Sequence, residues 1–151
     1  MTARPAARSR LRLPAFVPFR LNRLAGAVSE HLAAVYRARF ALEVPEWRVI
    51  ATVGELRDCT AQFIAASTRM HKTRVSRAIA QLIRRGLLER DASAQDRREL
   101  PLRLSAAGRR MYGQLVPLAL AREAQLLGCL SASERRAFLA ALDQLESHLG
   151  L

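Results

Sequence analysis

The chain has 151 residues, of which 50% are hydrophobic and 25% charged, and its formal net charge is +12 at pH 7. This length fits one domain with a substantial core, and the apolar fraction excludes a disordered chain. No apolar run approaches the roughly 20 residues that a membrane span requires, and the arginine-rich opening lacks the apolar centre of a signal peptide, so we expect a soluble, cytoplasmic protein.

The positive charge is concentrated in two segments. Residues 1–29 contain arginines and no acidic residue, and basic residues outnumber acidic ones in residues 69–98; together these segments carry the whole excess. Lys72 is the only lysine, so a compositional bias explains the choice of arginine but not its clustering. Charge that is segregated in this way is typical of a surface that binds a polyanion.

Apolar residues at three- and four-residue steps after the basic opening predict a long amphipathic helix over about residues 18–42. A second helix is expected to begin at Pro45, because proline is well tolerated in the first helical turn. A third, shorter segment follows Thr60, whose hydroxyl can cap it.

The segment HKTRVSRAIAQLIRRG predicts a further helix that stops at Gly86. On a helical wheel Val75, Ile79 and Leu82 share one face, which we expect to be buried. The opposite face is small, polar and basic and carries Thr73, Ser76, Arg77, Ala80 and Arg84, flanked by Lys72 and Arg74.

The periodicity then changes, and LLER and LPLRL predict two short strands joined by a polar loop. Pro101 lies within the second strand, so we expect its missing N–H to face away from the hairpin. Ser105 restarts a long helix that is expected to kink at Pro117. Ser131 and Glu134 predict a capping box for a last helix, which we expect to bury Phe138, Leu139, Leu142, Leu145 and Leu149.

The polar face of the predicted helix at residues 72–84 has the composition that reading a DNA major groove requires. Short side chains allow a close approach, hydroxyls can bond to bases, and an arginine such as Arg77 can bond bidentately to guanine. Lys72 and Arg74 suit phosphates. Taken alone, this helix is equally compatible with an ordinary solvated face.

Several motifs together resemble the MarR family of bacterial transcription regulators. DRRELPLRLSAAG, from Asp96 to Gly108, resembles the family's wing signature, and VSRAIAQLIRRGLLER is similar to its recognition helix and the exit into the wing. PEWRVIATVG and LSASERRAFLAALDQLE are similar to its second and last helices, so the resemblance covers nearly everything after residue 17.

This resemblance implies a mainly α fold with a small β-hairpin wing, that is, a winged helix-turn-helix within a helical dimerisation frame. One domain would span residues 18–151. Dimerisation helices would occupy about 18–42 and 106–150, the winged helix-turn-helix would occupy about 45–104, and residues 1–17 would form a flexible basic tail.

The resemblance also implies a homodimeric repressor that binds a pseudo-palindromic operator in double-stranded DNA. Carried over by position, Thr73, Arg74, Ser76 and Arg77 face the DNA, with Lys72 beside them. Arg98 falls at the wing tip that enters the minor groove, and Asp96 holds that arginine in place. Arg97 has no specific role by position, and we expect it near the phosphates. His71 departs from the family pattern, because many members have an acidic residue there.

The opening FVPFRLNRLAGAVS resembles a branch of the family that responds to aromatic acids or their coenzyme A thioesters. A small aromatic acid or its thioester is therefore the expected effector, with His31 as a polar handle and Trp47 as an aromatic wall. The alternative is an exposed helical histidine and a core tryptophan.

No arrangement of residues typical of catalysis appears, so we expect neither an enzyme nor a cofactor or metal. Cys59 and Cys129 show no metal-ligand spacing and are expected to be idle thiols, with redox sensing as the alternative. The rival function is a structural or architectural nucleic-acid-binding protein without an effector, for which the basic charge alone would suffice.

Overall fold

The computed structural model describes residues 10–91 and 100–151. The chain divides into two units, Met1–Val44 and Pro45–Leu151. In order, the elements are a short 3-10 helix Leu13–Ala15, helices α1 Val17–Phe40, α2 Val44–Leu56, α3 Ala61–Thr68 and α4 Lys72–Arg84, strands β1 Leu88–Arg90 and β2 Leu102–Leu104, and helices α5 Ala106–Leu127 and α6 Ala132–Leu149. The predicted mainly α fold with one hairpin is confirmed.

Helix α1 is the main element of the first unit, and its exposed residues are unevenly distributed. Ala33, Tyr36 and Phe40 are buried in its second half, whereas Leu21 and Leu24 in its first half are 44% and 49% exposed. The helix ends at Ala41, which has a φ of 50° and donates its N–H to the Arg37 carbonyl at 3.1 Å. The 3-10 helix lies inside the predicted tail, and the flexibility of residues 1–17 stays a prediction.

The second unit begins with three helices whose ends follow from local capping. Thr60 accepts a hydrogen bond from the Phe63 N–H at 3.2 Å and so starts α3, as the sequence predicts. At the start of α4 the imidazole Nδ1 of His71 accepts the Thr73 N–H at 3.3 Å. A histidine side chain thus caps this helix.

Helix α4 ends in the arrangement that glycine favours. Gly86 has a φ of +67° and donates its N–H to the Ile83 carbonyl, and the Leu87 N–H reaches the Leu82 carbonyl, both at 2.9 Å. These two bonds satisfy carbonyls that the end of a helix leaves unpaired, and they require the left-handed conformation at the glycine. The predicted stop at Gly86 is confirmed.

Strands β1 and β2 pair antiparallel, with Leu88 opposite Leu104 and Arg90 opposite Leu102. On its other side Leu102 donates its N–H to the Cys59 carbonyl at 2.9 Å, so β2 lies between β1 and the residue before Thr60. The expectation that the missing N–H of Pro101 faces away from the hairpin is wrong. The Pro101 carbonyl accepts the Asp91 N–H at 2.8 Å, so the main chain of Pro101 faces β1. Pro101 lies just before β2, where the ladder ends.

Two serines begin the last two helices. The Ser105 hydroxyl accepts the Gly108 N–H at 3.0 Å, and α5 continues through Pro117, at which the predicted kink stays a prediction. The Ser131–Glu134 capping box of α6 is confirmed.

Within residues 10–91 and 100–151 no single helix is both long and apolar enough to cross a membrane. Helices α5 and α6 have the required length and composition only as a pair, and this pair is bent by 111°.

The expectation that α6 buries its leucines is wrong for a single chain, since none of its residues is buried. Phe138 and Leu142 are half-buried, and Leu139, Leu145 and Leu149 are 43%, 47% and 67% exposed. The residues repeat at helical spacing as predicted, but the chain does not cover this apolar face.

Candidate nucleic-acid interface

Helix α4 has two sharply different faces. Val75, Ala78, Ile79 and Leu82 are buried, with exposures between 0% and 5%. All the predicted DNA-facing residues of the helix lie on the exposed side, namely Lys72, Thr73, Arg74, Ser76 and Arg77. The helix contains no acidic residue, so every charge that the helix itself places on this face is positive.

Contacts at both ends hold α4 in a fixed orientation. The His71 cap fixes its start, and the hydrogen bonds of Gly86 and Leu87 fix its end. The Ser105 hydroxyl, beyond the hairpin, donates to the Gly86 carbonyl at 2.6 Å and so ties the exit of the wing to the exit of α4. A fixed helix with exposed hydroxyls and arginines can dock into a major groove without reordering.

The predicted tip of the wing, Asp96, Arg97 and Arg98, lies outside the described residues. The structure instead shows how the base of the wing is held. Arg103 of β2 forms an ion pair with Asp91, the residue after β1, and its Nε lies 3.3 Å from Oδ1 of Asp58, beyond the end of α2. The sequence did not predict this triad of Arg103, Asp91 and Asp58. Its only indication was that Arg103 lies between the buried Leu102 and Leu104, on the opposite side of the strand.

A cavity of about 610 Å³ lies next to this triad, among the end of α2, strand β2 and the start of α5. Its lining includes Gly54 and Tyr112, which pack closely, since a Cβ atom at Gly54 would lie 2.6 Å from the tyrosine ring. Its charged lining residues are Arg57, Asp58, Arg103 and Arg109. The lining therefore offers an aromatic surface and more cations than anions.

The predicted effector residues lie in different units. His31 is exposed on α1, and Trp47 is half-buried near the start of α2. Neither lies among the residues that line the cavity, and their role in effector binding stays a prediction.

The two cysteines have different surroundings. Cys59 is buried beside β2 and Cys129 is exposed. Burial raises the pKa of the Cys59 thiol, and the negative charge of Asp58 raises it further. A raised pKa lowers the fraction of reactive thiolate, so the environment of Cys59 disfavours redox sensing.

Helices α2, α3 and α4 followed by the β1–β2 hairpin, with a basic polar face on α4, define a winged helix-turn-helix protein. Residues 42–99 match the model of the MarR family. The match covers less than half of the chain. Together with the fold it makes the chain similar to MarR family proteins, whose solved members are described as transcriptional regulators.

Solved structures share this fold over most of the chain. A MarR/EmrR family regulator from Acinetobacter sp. ADP1 is 24% identical, with 93% of this chain and 99% of that one covered and a TM-score of 0.82. A Mycobacterium tuberculosis MarR family protein in complex with salicylic acid is 22% identical, with 87% and 96% covered and a TM-score of 0.72. A Listeria monocytogenes MarR family regulator complexed with 26mer DNA is 15% identical, with 93% and 90% covered and a TM-score of 0.77. No curated protein sequence matches significantly.

Proposed function

We propose that the protein is a homodimeric, sequence-specific repressor that a small aromatic acid, or its coenzyme A thioester, releases from its operator. The observation that carries the proposal is the exposed face of α4, which is free of acidic residues and held at both ends within a MarR-type winged helix-turn-helix. Such a protein acts on the bacterial chromosome, so we expect it in the cytoplasm.

In this proposal Thr73 and Arg77 read base edges in the major groove, and Lys72 and Arg74 contact phosphates. The related Listeria monocytogenes protein was solved with DNA, which supports a nucleic-acid role for the shared fold. Arg98, positioned by Asp96 and with Arg97 near the phosphates, enters the adjacent minor groove, whose negative potential attracts arginine.

The exposed apolar residues at the two ends of the chain support a homodimer. Leu21 and Leu24 of α1 and Leu139, Leu145 and Leu149 of α6 are each more than 40% exposed. Apolar surface that each of these helices leaves exposed is typical of an interface. A second copy that covers it would place two α4 helices on one pseudo-palindromic DNA site.

The cavity beside Arg103 supports an effector-controlled mechanism. Arg57, Arg103 and Arg109 can attract a carboxylate, and Tyr112 offers a surface for an aromatic ring. A carboxylate bound to Arg103 would compete with Asp91 for the same guanidinium and loosen the base of the wing. The related Mycobacterium tuberculosis protein binds salicylic acid, and salicylate is therefore the first compound to try.

The experiment is a titration of salicylate and other aromatic acids into the protein bound to a DNA site that was selected from random duplexes. We expect release of the DNA by at least one acid, and a weaker response in Arg103→Met, because that variant removes the cation that would hold the carboxylate. A matched control is Arg136→Met on α6, whose exposed side chain is not part of the cavity lining and which should respond like the wild type. Release that is equal in Arg103→Met and the wild type would contradict this cavity as the effector site.

A further inference from the structure

A second, smaller cavity of about 240 Å³ lies where the start of α3, the first turns of α4 and the end of β1 come together. Two cations line it, Lys72 from α4 and Arg90 from β1, and among the residues that the structure describes its lining contains no acidic one. Gln62 and Ser76 add neutral hydrogen-bonding groups. These four residues, Gln62, Lys72, Ser76 and Arg90, are referred to below as the basic notch.

The side chains of the basic notch are available to a ligand. All four residues are exposed, and within residues 10–91 and 100–151 none of their side chains makes a hydrogen bond or an ion pair. Thr60, which also lines the cavity, differs, because its hydroxyl is engaged in capping α3. Two unpaired cations and two free polar groups around one concave space are suited to an anion with several acceptor oxygens.

We propose that the basic notch binds one phosphate of the DNA backbone and thereby fixes α4 and the wing to the same point on the duplex. The proposal rests on the DNA-binding function proposed above and extends it. It adds Gln62 and Arg90 to the interface, and it assigns Ser76 to the backbone, whereas the sequence alone suggested a base contact. Lys72 and Ser76 are one helical turn apart on α4, so both can reach a single phosphate.

A backbone phosphate fits this place better than a free anion. The notch continues the exposed face of α4 that carries Thr73 and Arg77, and it ends at Arg90, where β1 leads into the wing loop. When α4 lies in a major groove, a DNA strand that borders the groove passes along the margin of the helix. Phosphate contacts at this margin set the register of the bases that the helix reads.

The test compares four variants with the wild type on a random-sequence duplex: Lys72→Gln, Arg90→Gln, the double variant, and Arg136→Gln as a charge-matched control on α6. The slope of log K against log salt is measured for each, since it counts the phosphates that the protein neutralises, at about 0.9 for each phosphate on B-DNA. Thermal unfolding of each variant verifies that the fold is retained.

Two cations on one phosphate limit the total loss to one phosphate per protomer. Each single substitution leaves the other cation in place, so each slope should fall by less than about 0.9 per protomer. The double variant should lose about 0.9 per protomer in total, which is about 1.8 for the proposed homodimer. Losses of about 0.9 per protomer in each single variant and about 1.8 per protomer in the double would mean two separate phosphates and would overturn the notch. An unchanged slope in the double variant would overturn it as well.

A separate titration with inorganic phosphate identifies the source of the anion. Weak, non-saturating binding of inorganic phosphate, together with the slope change on DNA, supports the proposal. Saturable binding that Arg90→Gln abolishes, with an unchanged slope on DNA, would make the notch a site for free phosphate and overturn it. A slope change in a protein that prefers no DNA sequence would support the notch while contradicting the proposed regulatory function.

Discussion

Arg103 forms an ion pair with Asp91 at the point where the wing loop leaves β1, and the same guanidinium also faces Asp58. The two carboxylates differ in exposure, since the Asp91 side chain is 19% exposed and the Asp58 side chain 60%. Screening by water weakens an exposed pair more than a partly buried one. The two partners should therefore contribute unequally to stability.

Double-mutant cycles in urea can measure this difference. We expect Arg103→Met to couple with Asp91→Asn by about 1 kcal/mol and with Asp58→Asn by only a few tenths, on the order of an exposed pair. Coupling energies that are equal, or that are larger for Asp58, would show that the geometry at the base of the wing differs from the one described.

Gly108 should tolerate no larger residue, because a Cβ atom there would lie 2.0 Å from the main-chain oxygen of Leu87. The contact is with the backbone, which cannot move aside as a flexible side chain can. We expect Gly108→Ala to lower the free energy of unfolding by about 1 to 3 kcal/mol or more.

The matched control for this substitution is Gly113→Ala in the same helix, where a Cβ atom meets nothing within 4 Å. Alanine there should raise stability by about 0.5 to 1 kcal/mol, since glycine is a poor residue for a helix interior. If the two substitutions changed the denaturation midpoint alike, the close packing of α5 against Leu87 would be disproved.

The capping box of α6 predicts a pH dependence of stability. The pKa of Glu134 is lowered because the Ser131 hydroxyl and main-chain N–H both donate to its carboxylate, at 2.7 and 2.8 Å. A lowered pKa in the folded state gives stability that is present above the ordinary value of 4.5 and is lost as the pH falls below it.

Thermal melts of Glu134→Gln and the wild type should therefore differ most at neutral pH and converge as the pH falls through 4.5 and below. In a Ser131→Ala background the pH-dependent difference should largely disappear, because the hydroxyl that stabilises the carboxylate is gone. A difference that stays constant with pH would show that the ionised carboxylate contributes nothing to the cap.

Features that depend on neighbouring residues were predictable from the sequence. The Thr60 cap, the stop at Gly86 and the Ser131–Glu134 box each involve residues within a few positions of one another, so local chemistry decides them. The two faces of α4 were predictable for the same reason, because helical periodicity determines which residues share a side.

Features that depend on distant partners were not predictable. Asp58 and Asp91 meet Arg103 only through the fold, and no spacing in the sequence indicates them. The side to which the main chain of Pro101 points depends on the neighbours of its strand. Leu102 pairs with Cys59 on one side, so the adjacent Pro101 points to the other side, toward β1. The apolar pattern of α6 correctly predicted an apolar face, but no pattern within one chain tells whether that chain or a second copy covers it.

The central claim, that α4 reads DNA sequence, is tested most directly by comparing affinities at one fixed salt concentration. The protein's Kd is measured for a duplex selected from a random pool and for a scrambled duplex of the same composition, with wild type and Arg77→Ala. We predict a pseudo-palindromic selected site that is bound about 10³-fold or more tightly than the scrambled one. Arg77→Ala should lose about 1 to 3 kcal/mol of discrimination at one position in each half-site. Equal affinity of the wild-type protein for both duplexes would contradict the claim and indicate an architectural nucleic-acid-binding protein instead.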